Sequence, residues 1–185
     1  MKNFIPSREA CLSLMEQHGM LPHIKDHSLL VARIAVCLGK NLKAQFPELN
    51  LDLVEAGALL HDIAKTETIR TRGNHAQIGE EMVRAMGFDP VARIVAQHVR
   101  LEEAYFQNEG VDEVVLVHYA DKRVRHDEVV DLKDRFEYLV ETYGRSQEAV
   151  GRIEALYQDT LKVEKMIFLH LSFPPQALRD YLEMS

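Results

Sequence analysis

Apolar residues recur along most of the chain at the three- and four-residue spacing of an amphipathic α-helix. This spacing predicts helices over residues 7–17, 27–44, about 53–65, 75–86, 90–99 and 112–124. Two longer helices and a short terminal one are predicted between 131 and 185. The run Val114–Val117 could form a strand, but Ala120 and Val124 continue it at helical spacing. The chain is therefore predicted to be all-α.

Residues with strong positional preferences indicate where these helices begin and end. Asp26 is a predicted N-cap for the helix over 27–44. Asn74 is a predicted N-cap for the next amphipathic helix, with Gln77 completing a capping box. Pro90 suits a first helical turn. A loop is predicted over 66–73, a turn at 108–110, and helix breaks at Gly19, Gly87, Gly144 and Pro174-Pro175.

Length and composition indicate a soluble globular protein with one substantial core. The chain has 185 residues, of which 46% are hydrophobic and 28% charged. Its formal net charge of -7 argues against broad, non-specific nucleic-acid binding. Cys11 and Cys37 lie beside apolar residues without a CxxC spacing, which predicts reduced core thiols. The sequence contains no long apolar segment of the kind found in signal peptides and membrane helices, so a cytoplasmic protein is expected.

The pair His61-Asp62 lies inside the strongly apolar run over residues 53–65. A carboxylate beside an imidazole is costly to bury unless both groups have partners. A divalent metal ion would satisfy both, because it accepts imidazole nitrogen and carboxylate oxygen as ligands. The alternative for this pair alone is a core histidine whose neighbouring aspartate points to solvent.

Four further polar residues lie in the apolar stripes of other predicted helices. His27 is followed by apolar residues at offsets of four, seven and eleven, and His75 at three, seven and eleven. His98 and Asp121 have apolar residues at similar offsets before them. One such residue is usually a hydrogen-bonded core residue, whereas a shared metal centre satisfies all of them together. The predicted metal ligands are His27, His61, Asp62, His75, His98 and Asp121.

Six ligands exceed what one metal with an open catalytic position requires. Two divalent ions roughly 3.5–4 Å apart, bridged by a carboxylate and a water, would use them all. Asp62 is the natural bridge and is expected to be catalytic, with iron, manganese, cobalt or zinc as candidate metals. The bridging water would lose a proton and attack a phosphorus ester as hydroxide.

Basic residues follow two of the predicted ligands in this acidic chain. Lys65 and Arg72 come after His61-Asp62, while Lys122 and Arg125 come after Asp121. Cations beside a metal site are suited to bind substrate phosphate, and Lys65 is also expected to stabilise charge during the reaction. The alternative is ordinary solvated surface charge.

The order His, His-Asp, His, His, Asp resembles the HD-domain superfamily of metal-dependent phosphohydrolases, over roughly residues 20–126. The runs Leu59–Lys65, His27–Ala32 and Tyr119–Lys122 look like its signature, first-histidine and last-aspartate motifs. The chain lacks a Gly-Tyr-Pro motif, which disfavours the cyclic-dinucleotide subgroup. The resemblance implies that one metal is held by His27, His61, Asp62 and Asp121, with His75 and His98 at the positions that supply a second metal.

The resemblance implies an HD-domain helical bundle over residues 1–130, with C-terminal helices over 131–185 packed on the same domain. The expected function is cleavage of a phosphoester or phosphoanhydride in a small phosphorylated substrate, with a nucleotide favoured. No duplex nucleic acid or membrane partner is expected, and a homo-oligomer is possible. The alternatives are a mixed-valent di-iron oxygenase of HD fold and a non-catalytic nucleotide-binding sensor.

Overall fold

The computed structural model describes residues 4–107 and 110–184, and it shows an all-α bundle with one small hairpin. The predicted turn at 108–110 lies partly outside the described residues. The helices are α1 (Arg8–Gln17), α2 (Pro22–Leu42), α3 (Leu51–Leu60), α4 (Lys65–Thr71), α5 (His75–Ala85), α6 (Asp89–Gln97), α7 (Ala104–Gln107), α8 (Glu113–Lys122), α9 (Leu132–Tyr143), α10 (Gln147–Phe168) and α11 (Leu178–Met184), with a 3₁₀ turn at Pro175–Ala177 before α11.

Helices α2, α3 and α8 pack against one another and form the centre of the bundle, and α6 joins them between α3 and α5. Gly57 allows a close approach of α3 and α6, because a Cβ atom there would lie 2.5 Å from Cδ1 of Ile94. The ends of α3 and α6, which carry His61 and His98, therefore come together in the core.

The helix starts follow local chemistry, with one correction. The Asn74 side chain accepts hydrogen bonds from the amides of Ala76 and Gln77, which confirms the predicted N-cap, but the Gln77 side chain donates to Glu81 instead of completing a capping box. The prediction that Asp26 caps α2 is wrong. The helix begins at Pro22, because proline suits the first turn and keeps the preceding residue extended.

The predicted loop over 66–73 is also wrong, since most of it forms α4. Threonine, which occurs at Thr66, Thr68 and Thr71, has a low helix propensity. Thr68 is buried against the bundle, and its hydroxyl donates to the carbonyl of Lys65, so tertiary packing outweighs propensity here. The helix ends at Thr71, and the next residue, Arg72, has a left-handed backbone at φ 57°.

The chain leaves α8 through a hairpin that the periodicity does not predict. Strand β1 (Val124–Arg125) pairs antiparallel with β2 (Glu128–Val129), so Val124 lies outside the helix predicted over 112–124. Two residues per strand are too few to produce an alternating pattern. The hairpin turns the chain back toward α9.

The C-terminal helices break near Gly144 and Pro174-Pro175 as predicted, and α10 packs on α8 and α9. Arg123 directly follows α8, and its fully buried side chain connects α8 to the C-terminal part of the chain. Its guanidinium donates to Tyr119, Glu164 and Asp131 and to the carbonyls of Val130 and Pro175; this set is called the Arg123 network. Within residues 4–107 and 110–184, no helix has the length and apolarity needed to span a membrane.

Candidate metal centre

The six predicted metal ligands converge on one place in the core. They form two groups of three, and within each group one potential ligand atom per residue lies within 4.8 Å of the others. Group one comprises His27, His61 and Asp121, all buried; group two comprises Asp62, His75 and His98, of which only His75 is partly exposed.

The rings of His61 and His98 are held in the same way. Each follows the last residue of a helix, and its Nδ1 bonds to the carbonyl three residues earlier, at 2.7 Å for Ala58 and 2.6 Å for Val95. The last carbonyls of a helix have no partner within the helix, so these bonds satisfy them. A proton on Nδ1 leaves the Nε2 lone pair of each ring facing the centre, as a metal ligand requires.

Asp62 lies between the two groups. Its Oδ1 is 3.4 Å from Nε2 of His75 and 3.6 Å from Nε2 of His98. Its Oδ2 is 3.4 Å from Nε2 of His61, in group one. One carboxylate therefore faces both groups, with a different oxygen toward each.

Group one is closed by Asp121 at the end of α8. Oδ1 of Asp121 is 3.0 Å from Nε2 of His27 and 3.7 Å from Nε2 of His61. Helices α2 and α8 and the C-terminal end of α3 each position one residue of this group, so the packing of the three central helices sets its geometry.

Two observations test whether this donor set fits metal ions. Nε2 of His61 and Oδ1 of Asp62 are buried without a hydrogen-bond partner among the described residues. Nε2 of His75 lies 3.1 Å from Nε2 of His98, whose lone pair faces the centre. Two nitrogens bound to one ion at about 2.0–2.1 Å each are separated by a similar distance. The residues present therefore fit divalent cations.

The titration behaviour of the two histidines in group two agrees with this fit. Burial lowers the pKa of His75 to about 4 and also lowers that of His98, so both rings are neutral at pH 7. Burial also opposes protonation of His61, but Asp62 and Asp121 outweigh it and raise the pKa of that ring. Burial alone would raise the pKa of both carboxyls, yet neighbouring cationic and imidazole groups hold each pKa well below its usual range.

The prediction that His61-Asp62 lies within a continuous helix needs correction. Helix α3 ends at Leu60, and α4 begins at Lys65. A turn joins them, in which the amide of Ile63 donates to the carbonyl of Leu60 and that of Lys65 to Asp62. The turn directs both His61 and Asp62 into the core, whereas neighbours on a regular helix point about 100° apart.

Lys65 and Lys122 both pair with a carboxylate of the centre, but only Lys65 reaches the surface. Nζ of Lys65 is 2.7 Å from Oδ2 of Asp62, and its side chain is 37% exposed. Nζ of Lys122 lies in the interior, 2.6 Å from Oδ2 of Asp121 and 2.9 Å from the carbonyl of His98. Lys122 is thus placed to hold two ligands in position, contrary to its predicted contact with substrate.

A cavity of about 250 Å³ opens onto the centre. Of the four predicted substrate-binding cations, Lys65 is among its lining residues. Arg72 is exposed at the end of α4, and Arg125 pairs with Glu128 at 3.6 Å; the cavity lining includes neither. The lining consists of His23, Ile24, His27, Asp62, Lys65, Ile69, His126, Arg135, Tyr138 and Tyr143.

Several residues of this site were not predicted from the sequence, among them His118, Arg135 and Tyr138. His118, which was not predicted as a site residue, is buried with Nδ1 3.0 Å from the carbonyl of His98, and burial lowers its pKa to about 3. Arg135 and Tyr138 lie on α9, beyond every recognisable motif. The apolar spacing around His118 was a usable signal, whereas the position of α9 depends on tertiary packing.

A helical bundle with two His/Asp groups in its core is the architecture of a metal-dependent HD domain. Residues 24–139 match the family model of the HD domain, and the chain belongs to this family. The match confirms the resemblance seen in the sequence and continues past the predicted boundary at residue 130. The family implies the superfamily of metal-dependent phosphohydrolases.

The similar proteins are more diverse than this family assignment. A tRNA (cytidine(56)-2'-O)-methyltransferase of Thermoplasma volcanium is 31% identical over 69% of this chain and 41% of its own length. A protein of Methanocaldococcus jannaschii is 26% identical over 71% of this chain and 83% of its own. A ribonuclease Y of Fervidobacterium nodosum is 38% identical over 44% of this chain and 15% of its own. No solved structure matches significantly.

The chain spans less than half the length of the tRNA methyltransferases that it matches, 41% in one and 47% in another. The similarity to them therefore concerns one part of a longer protein.

Proposed function

We propose that this protein is a metal-dependent phosphohydrolase with two divalent ions at the described centre. The observation that supports this most directly is the position of Asp62, whose two oxygens face separate groups of ligands. Bound ions would activate a water molecule and hold phosphoryl oxygens, the chemistry that two-metal phosphohydrolases use. His27, His61, Asp62 and Asp121 would hold one ion, and Asp62, His75 and His98 the other.

Lys122 and His118 would hold a metal-ligating residue in position, whereas Lys65 would face the substrate. The bonds of Lys122 and His118 to the His98 carbonyl fix the end of α6 and so orient the His98 ring. Lys65 is partly exposed in the cavity and lies beside Asp62. Its ammonium is placed to stabilise negative charge that develops on a phosphoryl group in the transition state.

We further propose that the substrate is a nucleotide. The cavity of about 250 Å³ suits a single small unit rather than a duplex. The chain's charge of -7 offers no general attraction for a polyanion, so recognition has to come from the cavity. A second candidate is the phosphodiester of an RNA strand, which the similarity to ribonuclease Y favours.

The test is a product screen with protein reconstituted in Mn²⁺. Nucleoside mono-, di- and triphosphates, dinucleoside polyphosphates and short single-stranded RNA are each incubated with wild type and with Asp62→Asn. The proposal predicts release of phosphate or nucleotide from at least one nucleotide substrate by wild type alone. Cleavage of RNA with no action on nucleotides would favour the second candidate.

Two other results would overturn the proposal that the protein is a phosphohydrolase. Oxygen consumption with organic phosphonates or polyols, without hydrolysis of any phosphate, would indicate the oxygenase chemistry of the same ligand set. Thermal stabilisation by nucleotides without turnover of any compound would indicate a sensor.

A further inference from the structure

Arg135 brings a second cation to the cavity from the C-terminal part of the chain. It lies on α9 and lines the same cavity as His27, Asp62 and Lys65. Its Nε is buried and has no hydrogen-bond partner among the described residues. No carboxylate within residues 4–107 and 110–184 pairs with its side chain, in contrast to Lys65.

An unpaired buried guanidinium atom is costly, because it loses its hydration without gaining an acceptor. Arg123 shows how this chain satisfies a structural arginine, with acceptors on all three of its nitrogens. Arg135 lacks such acceptors among the described residues and lines a cavity that Lys65 also lines. Two cations around one small cavity are suited to an anion between them.

The position of Arg135 is supported by aromatic packing. Its guanidinium carbon lies 5.8 Å from the ring centre of Tyr138, one turn further along α9. The ring of His126 meets Tyr138 edge-on at 5.3 Å. His126 is at the tip of the β1–β2 hairpin with φ 58°, a left-handed conformation that is uncommon for a non-glycine residue. The hairpin and α9 thus form one wall of the cavity.

We propose that Arg135 binds a phosphate oxygen of the substrate, opposite Lys65, so that the nucleotide's phosphate lies between the two cations. This inference deepens the proposed function and rests on it for the identity of the substrate. A guanidinium suits this role because its planar set of donors matches two oxygens of one phosphate. Tyr138 and Tyr143 line the same cavity and are placed to contact the sugar or base.

Binding without turnover tests the inference separately from hydrolysis. The affinity of AMP, inorganic phosphate and adenosine is measured by calorimetry on the Mn²⁺-loaded full chain and on the metal-free chain. The variants are Arg135→Gln and Arg135→Lys. Lys133→Gln is the matched control, because Lys133 lies on the same helix with its side chain 74% exposed and beside Glu137. Thermal melts show which variants are folded.

We expect Arg135→Gln to weaken AMP binding at least tenfold in both metal states, with adenosine binding within twofold of wild type. Arg135→Lys should recover part of the lost AMP affinity. If Arg135→Gln is unfolded, the AMP affinity of Arg135→Lys tests the inference in its place. Lys133→Gln should match wild type. An unchanged AMP affinity in Arg135→Gln, an equal loss for adenosine, or no AMP binding by wild type would each overturn the inference.

Failure of the hydrolase proposal is distinguishable from this result. AMP binding that depends on Arg135, in a protein that hydrolyses nothing, would support the site and reject the activity. Hydrolysis of a nucleotide at the same rate and affinity in Arg135→Gln would reject the site and support the activity.

Discussion

Two buried polar clusters lie side by side at the end of α8, and they differ in how completely the protein satisfies them. In the Arg123 network, each guanidinium nitrogen donates to an acceptor of the chain. In the candidate metal centre, two residues away at Asp121, buried acceptors lack donors. A saturated cluster holds a fold together, whereas a cluster of unpaired acceptors indicates a site for a cation.

The charged groups of the two clusters also have different roles. Arg123 joins α8 to the C-terminal helices through Glu164, and Tyr119 donates to the same carboxylate at 2.6 Å. Burial, the largest influence on Tyr119, raises the pKa of its phenol, so it remains a donor at neutral pH. The metal centre instead concentrates two ionised carboxylates, which attract cations. Mutations in the two clusters should therefore change different properties.

The largest effect is expected at the carboxylate between the ligand groups. Asp62→Asn should lower kcat/KM by at least about 1,000-fold, or about 4 kcal/mol, because the amide is a weaker ligand for both ions. Bound metal should fall as well. The matched control is Asp52→Asn, an exposed residue of α3. Steady-state kinetics and elemental analysis provide the readouts, and an active Asp62→Asn protein with full metal content would refute the bridging role.

The next largest effect concerns stability alone. Arg123→Met should lower the free energy of unfolding by about 3–5 kcal/mol, because buried acceptors lose their donor. The exposed Arg152, which pairs with Glu148 one turn away, provides a control, and Arg152→Met should cost less than about 0.5 kcal/mol. Urea denaturation measures both. The amount of metal per folded chain should not change. If Arg123→Met and Arg152→Met lowered the free energy of unfolding equally, the Arg123 network would stabilise the fold no more than an exposed ion pair does.

A smaller effect is expected at the cation that borders the metal centre. Lys65→Ala should reduce kcat/KM roughly ten- to thousandfold, about 1.4–4 kcal/mol, with metal content nearly unchanged. The exposed Arg70 on the same helix serves as the control through Arg70→Ala. Turnover by Lys65→Ala at the wild-type rate would exclude a contact with the reacting phosphate.

The sequence predicted those features that periodicity encodes. The apolar stripes around His27, His75, His98 and Asp121 directed these residues inward, and the structure confirms that they converge. The same reasoning predicted the C-terminal helices and their breaks at Gly144 and Pro174-Pro175. A ligand set spread over several helices is visible in sequence because each member interrupts a hydrophobic face.

Features that depend on tertiary packing could not be predicted in this way. Helix α4 forms because Thr68 is buried against the bundle, and nothing local indicates this. Lys122 and Arg72 are both basic residues near a predicted ligand, yet one is buried and the other exposed. The approach of Arg135 to the cavity requires the position of α9, which no motif records.

The central claim is that the chain holds two metal ions, one in each ligand group. The most direct measurement is metal per chain after reconstitution with Mn²⁺ and removal of free ion. Wild type should contain close to two equivalents, and His75→Ala close to one, because His75 serves only the second group and its partial exposure lets the fold tolerate truncation. One equivalent in wild type, or two in His75→Ala, would contradict the account.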